Sequence, residues 1–168
     1  MNPSSATSSG TNAAAVGDVV ACRDASYREN LKIPGELGLV LESRTDRAKV
    51  YFPTLRAEPW IPTDKLARVT DPNAPGVARW MARACFLART LQAQFLEIAQ
   101  QEGQSCALRV FHGETDLAAL DSIRVELGAE LRHFTLHPAG MHKMESSIAF
   151  APADTGPAAT DPGPAHES

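Results

Sequence analysis

Hydrophobic and polar positions follow two different rhythms along this chain. Between positions 16 and 69 short apolar runs alternate with polar residues at a spacing near two, and from 77 to 99 the spacing changes to three and four. The first rhythm predicts strands and the second a helix. VGDVVACR reads as one strand, followed by DASYRENLKIPGE, which reads as a long polar loop with a Pro-Gly pair. LGLVLESR and RAKVYFP read as strands joined through Thr45-Asp46, a turn short enough to close a hairpin. In the second of them Ala48, Val50 and Phe52 share one face, expected to be packed, and Lys49 and Tyr51 the other, expected to be wet. Trp60-Ile61-Pro62 predicts a short strand, Thr63-Asp64-Lys65 a single helical turn, and Leu66 to Val69 a closing strand.

The second region opens on Val77, Trp80, Ala84, Leu87, Leu91, Phe95 and Ile98, which form one stripe on a long helix over 77–99 ending at Gly103. Ala107 to His112 reads as a strand. Thr115 or Asp116 caps a helix over Leu117 to Leu127, with Leu117, Leu120, Ile123 (or Arg124) and Leu127 in register and Gly128 as its stop. Leu131 to His137 and Glu145 to Phe150 read as strands joined by Pro138-Ala139-Gly140. A right-handed crossover predicts parallel neighbours at 107–112 and 131–137, with the last strand as an antiparallel hairpin partner.

Composition divides the chain further. Residues 1–15 are Ser, Thr, Ala and Asn without an aromatic, and the end of the chain repeats Pro, Gly, Ala and Thr, so 1–15 and 152–168 are expected to be disordered. TDPNAPG at 70–76 is a break between two parts. The expected organisation is α+β: a five-stranded small β-barrel over 16–70, then a small helix-strand-helix-strand-strand domain over 76–151. Closure is expected for the first part because five short strands bury little as a flat sheet. The net charge of −4 is spread as +1 over 16–70, −2 over 71–152 and −3 over the remainder, which argues against strong, general phosphate binding. Absence of a basic, apolar leader and of a run near ~20 apolar residues predicts a cytoplasmic chain with no membrane span. Cys22, Cys85 and Cys106 are odd in number and lack CxxC spacing, so they read as reduced, apolar thiols.

GDVVACRD, then GLVLESRTDRAKVYF, then WIPTDKLARV resemble the small barrels of the Tudor and KOW kind over about a third of the chain. Such barrels occur as accessory modules on bacterial helicases, transcription factors and ribosome-associated proteins. The resemblance implies a contact with nucleic acid or with a protein of a nucleic-acid machine. The longer loop from Asp24 to Glu36 departs from the family's plainest form.

Three sets of side chains are candidates for chemistry. Tyr27, Tyr51, Phe52 and Trp60 are either a ring cage for a cation or planar ligand, or, for Phe52 and Trp60, barrel core with Tyr27 as a loop anchor. Tyr51 is expected to be the most exposed of the four. Arg23, Arg28, Lys32, Arg44, Arg47, Lys49 and Arg56 concentrate positive charge in the first loop and central hairpin, interleaved with acids. Arg28, Lys32, Arg44, Arg47, Lys49 and Tyr51 are the expected nucleic-acid contacts. His133, His137 and His142, with Glu145, could hold a metal on the last hairpin, but their spacing matches no zinc pattern, so no metal and no cofactor is expected. Phosphate-binding glycine loops, nucleophile elbows and zinc-protease helices are absent from the sequence, and no catalytic residue is assigned.

The expected function is that of a non-enzymatic adaptor whose small barrel contacts nucleic acid, weakly, or a protein of a nucleic-acid machine, with a protein partner the more expected of the two. The alternative is an assembly or regulatory factor associating through the 77–99 helix, with Trp80, Phe86 and Phe95 as partner-binding residues and a homo-oligomer as one outcome. A metal or enzymatic role for the 133–145 hairpin is the third.

Overall fold

The period-two segments of the first region pair into one antiparallel sheet in a computed structural model that describes residues 13–33 and 35–152. Its strands are β1 (Val19–Cys22), β2 (Leu37–Ser43), β3 (Arg47–Tyr51), β4 (Trp60–Pro62) and β5 (Leu66–Val69), in the order β4-β3-β2-β1-β5. A single 3-10 turn, Thr63–Lys65, links β4 to β5 as expected. No ladder joins β4 to β5, so the five strands form an open sheet; the expected closed ring of pairing is absent among the described residues. The terminal segments expected to be disordered lie outside the described residues except for 13–15 and 152, and of these Ala14 is buried.

Alternation in β2 and β3 fills both faces of this sheet. Val20, Val40, Ala48, Val50, Phe52, Ile61 and Leu66 build an inner core, and Val19, Leu39, Leu41 and Tyr51 face the other way into a second. Gly38 is required at the crossing point, because a Cβ there would lie 2.4 Å from Val50 Cγ1. The segment expected as a long loop contains a helix, α1 (Ala25–Leu31). Asp24 makes it one: its carboxylate accepts from the Tyr27 amide at 2.9 Å, and Lys32 ends it in the left-handed region. The capping aspartate before a run of helix formers was the signal, outweighed by the nearby Pro-Gly pair.

The stripe at 77–99 is the largest correction. The helix, α2, spans only Arg79–Thr90, Gln92 turns the chain with a φ of 51°, and Phe95–Glu102 is a strand, β6. Gly103 therefore serves the turn of a β-hairpin into β7 (Ser105–His112), where it was expected to stop a helix. Tertiary pairing overrides the helical spacing here: Leu96 and Ile98 also fit a period of two, and β7 offers an eight-residue partner with Leu108, Val110 and Phe111. Helix α3 (Leu117–Leu127) is capped by Asp116, whose carboxylate accepts from the Ala119 amide, and ends at Gly128 as expected. Leu117, however, is exposed, and only Ile123 and Leu127 are buried from that helix.

β8 (Leu131–Gly140) and β9 (Lys143–Phe150) complete a four-stranded antiparallel sheet of order β6-β7-β9-β8, where three strands were expected. β7 and β8 do run in one direction, but they are not neighbours, because the hairpin folds β9 back between them. β9 suits the centre, since Ser146, Ile148 and Phe150 are buried, while β8 carries exposed residues and Pro138, whose missing N–H suits an edge. The hairpin turn falls at Met141-His142, beyond the Pro138-Ala139-Gly140 expected for it.

One hydrophobic cluster joins both regions. Trp80, Met81, Ala84, Leu87 and Ala88 of α2 pack between the outer face of the first sheet and Leu96, Leu108, Val110, Ile148 and Phe150 of the second. Trp80 meets the Tyr51 ring edge-on at 6.0 Å. Gly17, with φ of 87°, lets the chain pass so near α2 that a Cβ would lie 2.3 Å from that of Ala88. Among the described residues the remaining face of the second sheet carries half-buried and exposed side chains, Phe95, Glu97, Arg109 and Phe111 among them. No helix among the described residues is long and apolar enough to cross a membrane.

Candidate functional site

The tight hairpin between β2 and β3 places its flanking arginines side by side. The Arg44 amide donates to the Arg47 carbonyl at 2.8 Å, closing the turn over Thr45 and Asp46. In the next strand Ile61 faces the inner core, which turns both of its neighbours, Trp60 and Pro62, to the other face. Trp60 therefore lies half-buried on the outer face, opposite Lys49 in the ladder. The result is a cluster: the Arg44 guanidinium sits 4.4 Å and that of Arg47 5.3 Å from the centre of the indole ring. Arg44 pairs with Glu42 at 3.3 Å and Lys49 with Glu58 at 3.6 Å, while Arg47 makes no ion pair among the described residues. Each cation–π contact at such an exposed site is worth about 0.5–1 kcal/mol.

Three of the six expected nucleic-acid contacts, Arg44, Arg47 and Lys49, thus come together, and Trp60, expected as core, is their centre. Strand alternation around Ile61 is the signal that could have found it. Arg28 and Lys32 are not part of this cluster; they project from α1, which packs through Tyr27 on the inner core, and Arg28 donates to the Cys22 carbonyl. Tyr51, expected to be exposed, is only 6% exposed because Trp80 and the second region cover its face. Its hydroxyl donates to Gln101 Oε1 at 3.4 Å, and burial pushes its pKa up.

The four aromatics do not converge into a cage. Phe52 and Tyr51 are buried on opposite faces of the first sheet, and the Tyr27 hydroxyl reaches only the Trp60 carbonyl. The ring that remains accessible already carries the protein's own guanidinium groups, so a methylated ammonium would meet like charge there.

The residues expected to bind a partner are scattered by the end of the helix at Thr90. Trp80 is 1% exposed and belongs to the shared core, Phe86 is partly buried beside a shallow groove with Pro72, Arg89 and Glu126, and Phe95 lies on β6. Phe95 stacks on Phe111 at 4.1 Å on the open face of the second sheet, next to Arg109. Arg109 is bound there by Glu145 at 2.7 Å and Glu97 at 3.2 Å, and its hydrogen bond holds the Glu145 carboxyl below its ordinary range.

Among the described residues no group of three His, Cys, Asp or Glu side chains is placed to hold a metal ion. His142 lies at the hairpin tip, 3.5 Å from Glu114, and His133 and His137 occupy the exposed edge strand β8. The buried histidine is His112: its Nδ1 lies 2.7 Å from the Gly113 carbonyl and 2.8 Å from the Thr115 hydroxyl, and its Nε2 lies 2.8 Å from Ser146 Oγ. With Nδ1–H donating to the carbonyl, the serine hydroxyl donates to Nε2, and burial lowers the histidine pKa. Ser146 is fully buried, so this pair ties β7 to β9 without presenting a nucleophile. Glu130 is the other buried polar anchor, accepting from Arg79 at 2.6 Å and from Arg83 at 2.7 Å and 3.0 Å. The three cysteines are free and buried, and burial pushes the Cys106 thiol up to about 12. No protein-family model, curated protein or solved structure matches this chain.

Proposed function

We propose that this chain is a non-catalytic binding module, and more particularly an adaptor of a nucleic-acid machine whose first sheet is an open form of the Tudor/KOW-like barrel. Support for the barrel comes from the strand order with β5 returning beside β1 and from the single 3-10 turn before it. The observation that carries the binding function is the Arg44–Trp60–Arg47 cluster, a half-buried aromatic ring loaded with cations on an edge strand. Such a surface attracts phosphate with its guanidinium groups and offers a flat plane to a base. The near-neutral charge of the region limits the contact to a few phosphates, so the affinity is weak and falls with salt.

Fluorescence anisotropy with labelled oligonucleotides at about 50 mM and about 200 mM salt tests this reading. Binding at the lower salt, weakened at the higher and reduced at least about tenfold in an Arg44→Glu/Arg47→Glu double variant, is the expected result. No binding of any oligonucleotide at low salt would sink the proposal.

A further inference from the structure

The geometry at Trp60 points to a single-stranded segment, with an unpaired base as its recognised element. We infer that the base lies on the plane formed by the Arg44 guanidinium and the Trp60 indole, with the adjoining phosphate on Arg47; this rests on the nucleic-acid reading above.

Two features of the site carry the inference. The first is the supply of charge. Of the three cations at the cluster, Arg44 and Lys49 are each paired with a glutamate, and only Arg47 is without an ion pair among the described residues. A duplex places a phosphate on each strand every ~3.4 Å and is held by many contacts of this kind, so one uncompensated arginine is a poor match for it. One phosphate beside one base is a fitting match.

The second is the supply of flat surface. β4 is a three-residue edge strand with no strand beyond it, so Trp60 stands at the rim of the sheet. Arg44, 52% exposed at its side chain, holds its planar guanidinium 4.4 Å from the centre of the indole ring. Guanidinium and indole planes both stack on bases, but a base within a duplex has its faces already occupied by its neighbours. The accessible plane can therefore be used only by an unpaired base.

The probes are a fluorescein-labelled oligothymidine of about a dozen nucleotides and a blunt duplex of the same length. The oligothymidine is expected to bind at least about tenfold more tightly than the duplex at low salt and to quench part of the tryptophan emission, that of Trp60, because Trp80 is buried out of its reach. Arg44→Lys keeps the charge and removes the plane. It is expected to weaken the oligothymidine at least about fivefold and to leave the salt dependence unchanged. Equal binding of duplex and single strand, indifferent to Arg44→Lys but abolished by the double glutamate variant, would overturn the stacking inference and leave the nucleic-acid reading standing. Failure of both probes to bind would remove both.

Discussion

Two exposed surfaces of this molecule are built from the same parts and differ in how their charge is settled. On the first sheet Trp60 carries Arg44 and Arg47, and on the second Phe111 carries Arg109 at 5.5 Å beside the stacked Phe95. Arg109 is held between two carboxylates, Glu97 and Glu145, so its charge is used up within the sheet. Arg47 has no such partner among the described residues, and its field extends to solvent. An aromatic ring with an arginine on it is therefore no signature of a binding site; what separates the two surfaces is the balance of carboxylates to cations, two to three at Trp60 and two to one at Phe111.

The largest effect is expected from removing what joins the two surfaces. Trp80→Ala empties a fully buried position between the sheets and is expected to cost about 3–5 kcal/mol in urea unfolding, with the whole chain melting in one transition. Separate transitions for the two sheets would show that the surfaces stand on independent supports. A smaller loss, about 2 kcal/mol at neutral pH, is expected for Glu130→Gln, which leaves two arginines short of their charged acceptor. Hydrogen bonding from Arg83, foremost, lowers the Glu130 pKa from 4.5 in the folded chain. Its stabilisation is thus fully present above that value and is lost as pH falls through the lower folded value. Unfolding at a series of pH values should show the wild-type advantage over the variant shrinking below about pH 4.5; an advantage that persists unchanged in acid would contradict the ion-pair account. The smallest effect is expected for Arg109→Ala, which should leave oligonucleotide affinity within about twofold, since its charge is already balanced. A loss as large as that of the Arg44→Glu/Arg47→Glu variant would erase the contrast between the surfaces.

The first sheet was largely legible in the chain because its strands obey one rule. Alternation at Ala48, Val50 and Phe52 marks a buried face, and the Thr45-Asp46 turn pins the pairing of its neighbours. Legibility failed where two rules fit one segment. Leu91, Phe95 and Ile98 satisfy a helical spacing, while Leu96 and Ile98 satisfy a strand, and only the partner strand β7 decides between them. The site was half legible for a related reason. Arg44 and Arg47 flank a turn that the sequence displays, but the covering of Tyr51 by Trp80 is a contact between distant segments, and local pattern carries no trace of it. That one contact moved Tyr51 out of the site, and the need to bury Ile61 moved Trp60 into it.

The buried thiols give the molecule an unplanned set of clocks. Cys22 sits in the first sheet, Cys85 on the helix between the sheets and Cys106 in the second, each shielded from solvent. A thiol in such a place reacts only when its own neighbourhood opens, so the rate at which a reagent finds each one measures how often that part of the fold comes apart. The chain carries a native probe for each layer of its architecture, and the order in which the three are lost to labelling reads out which layer lets go first.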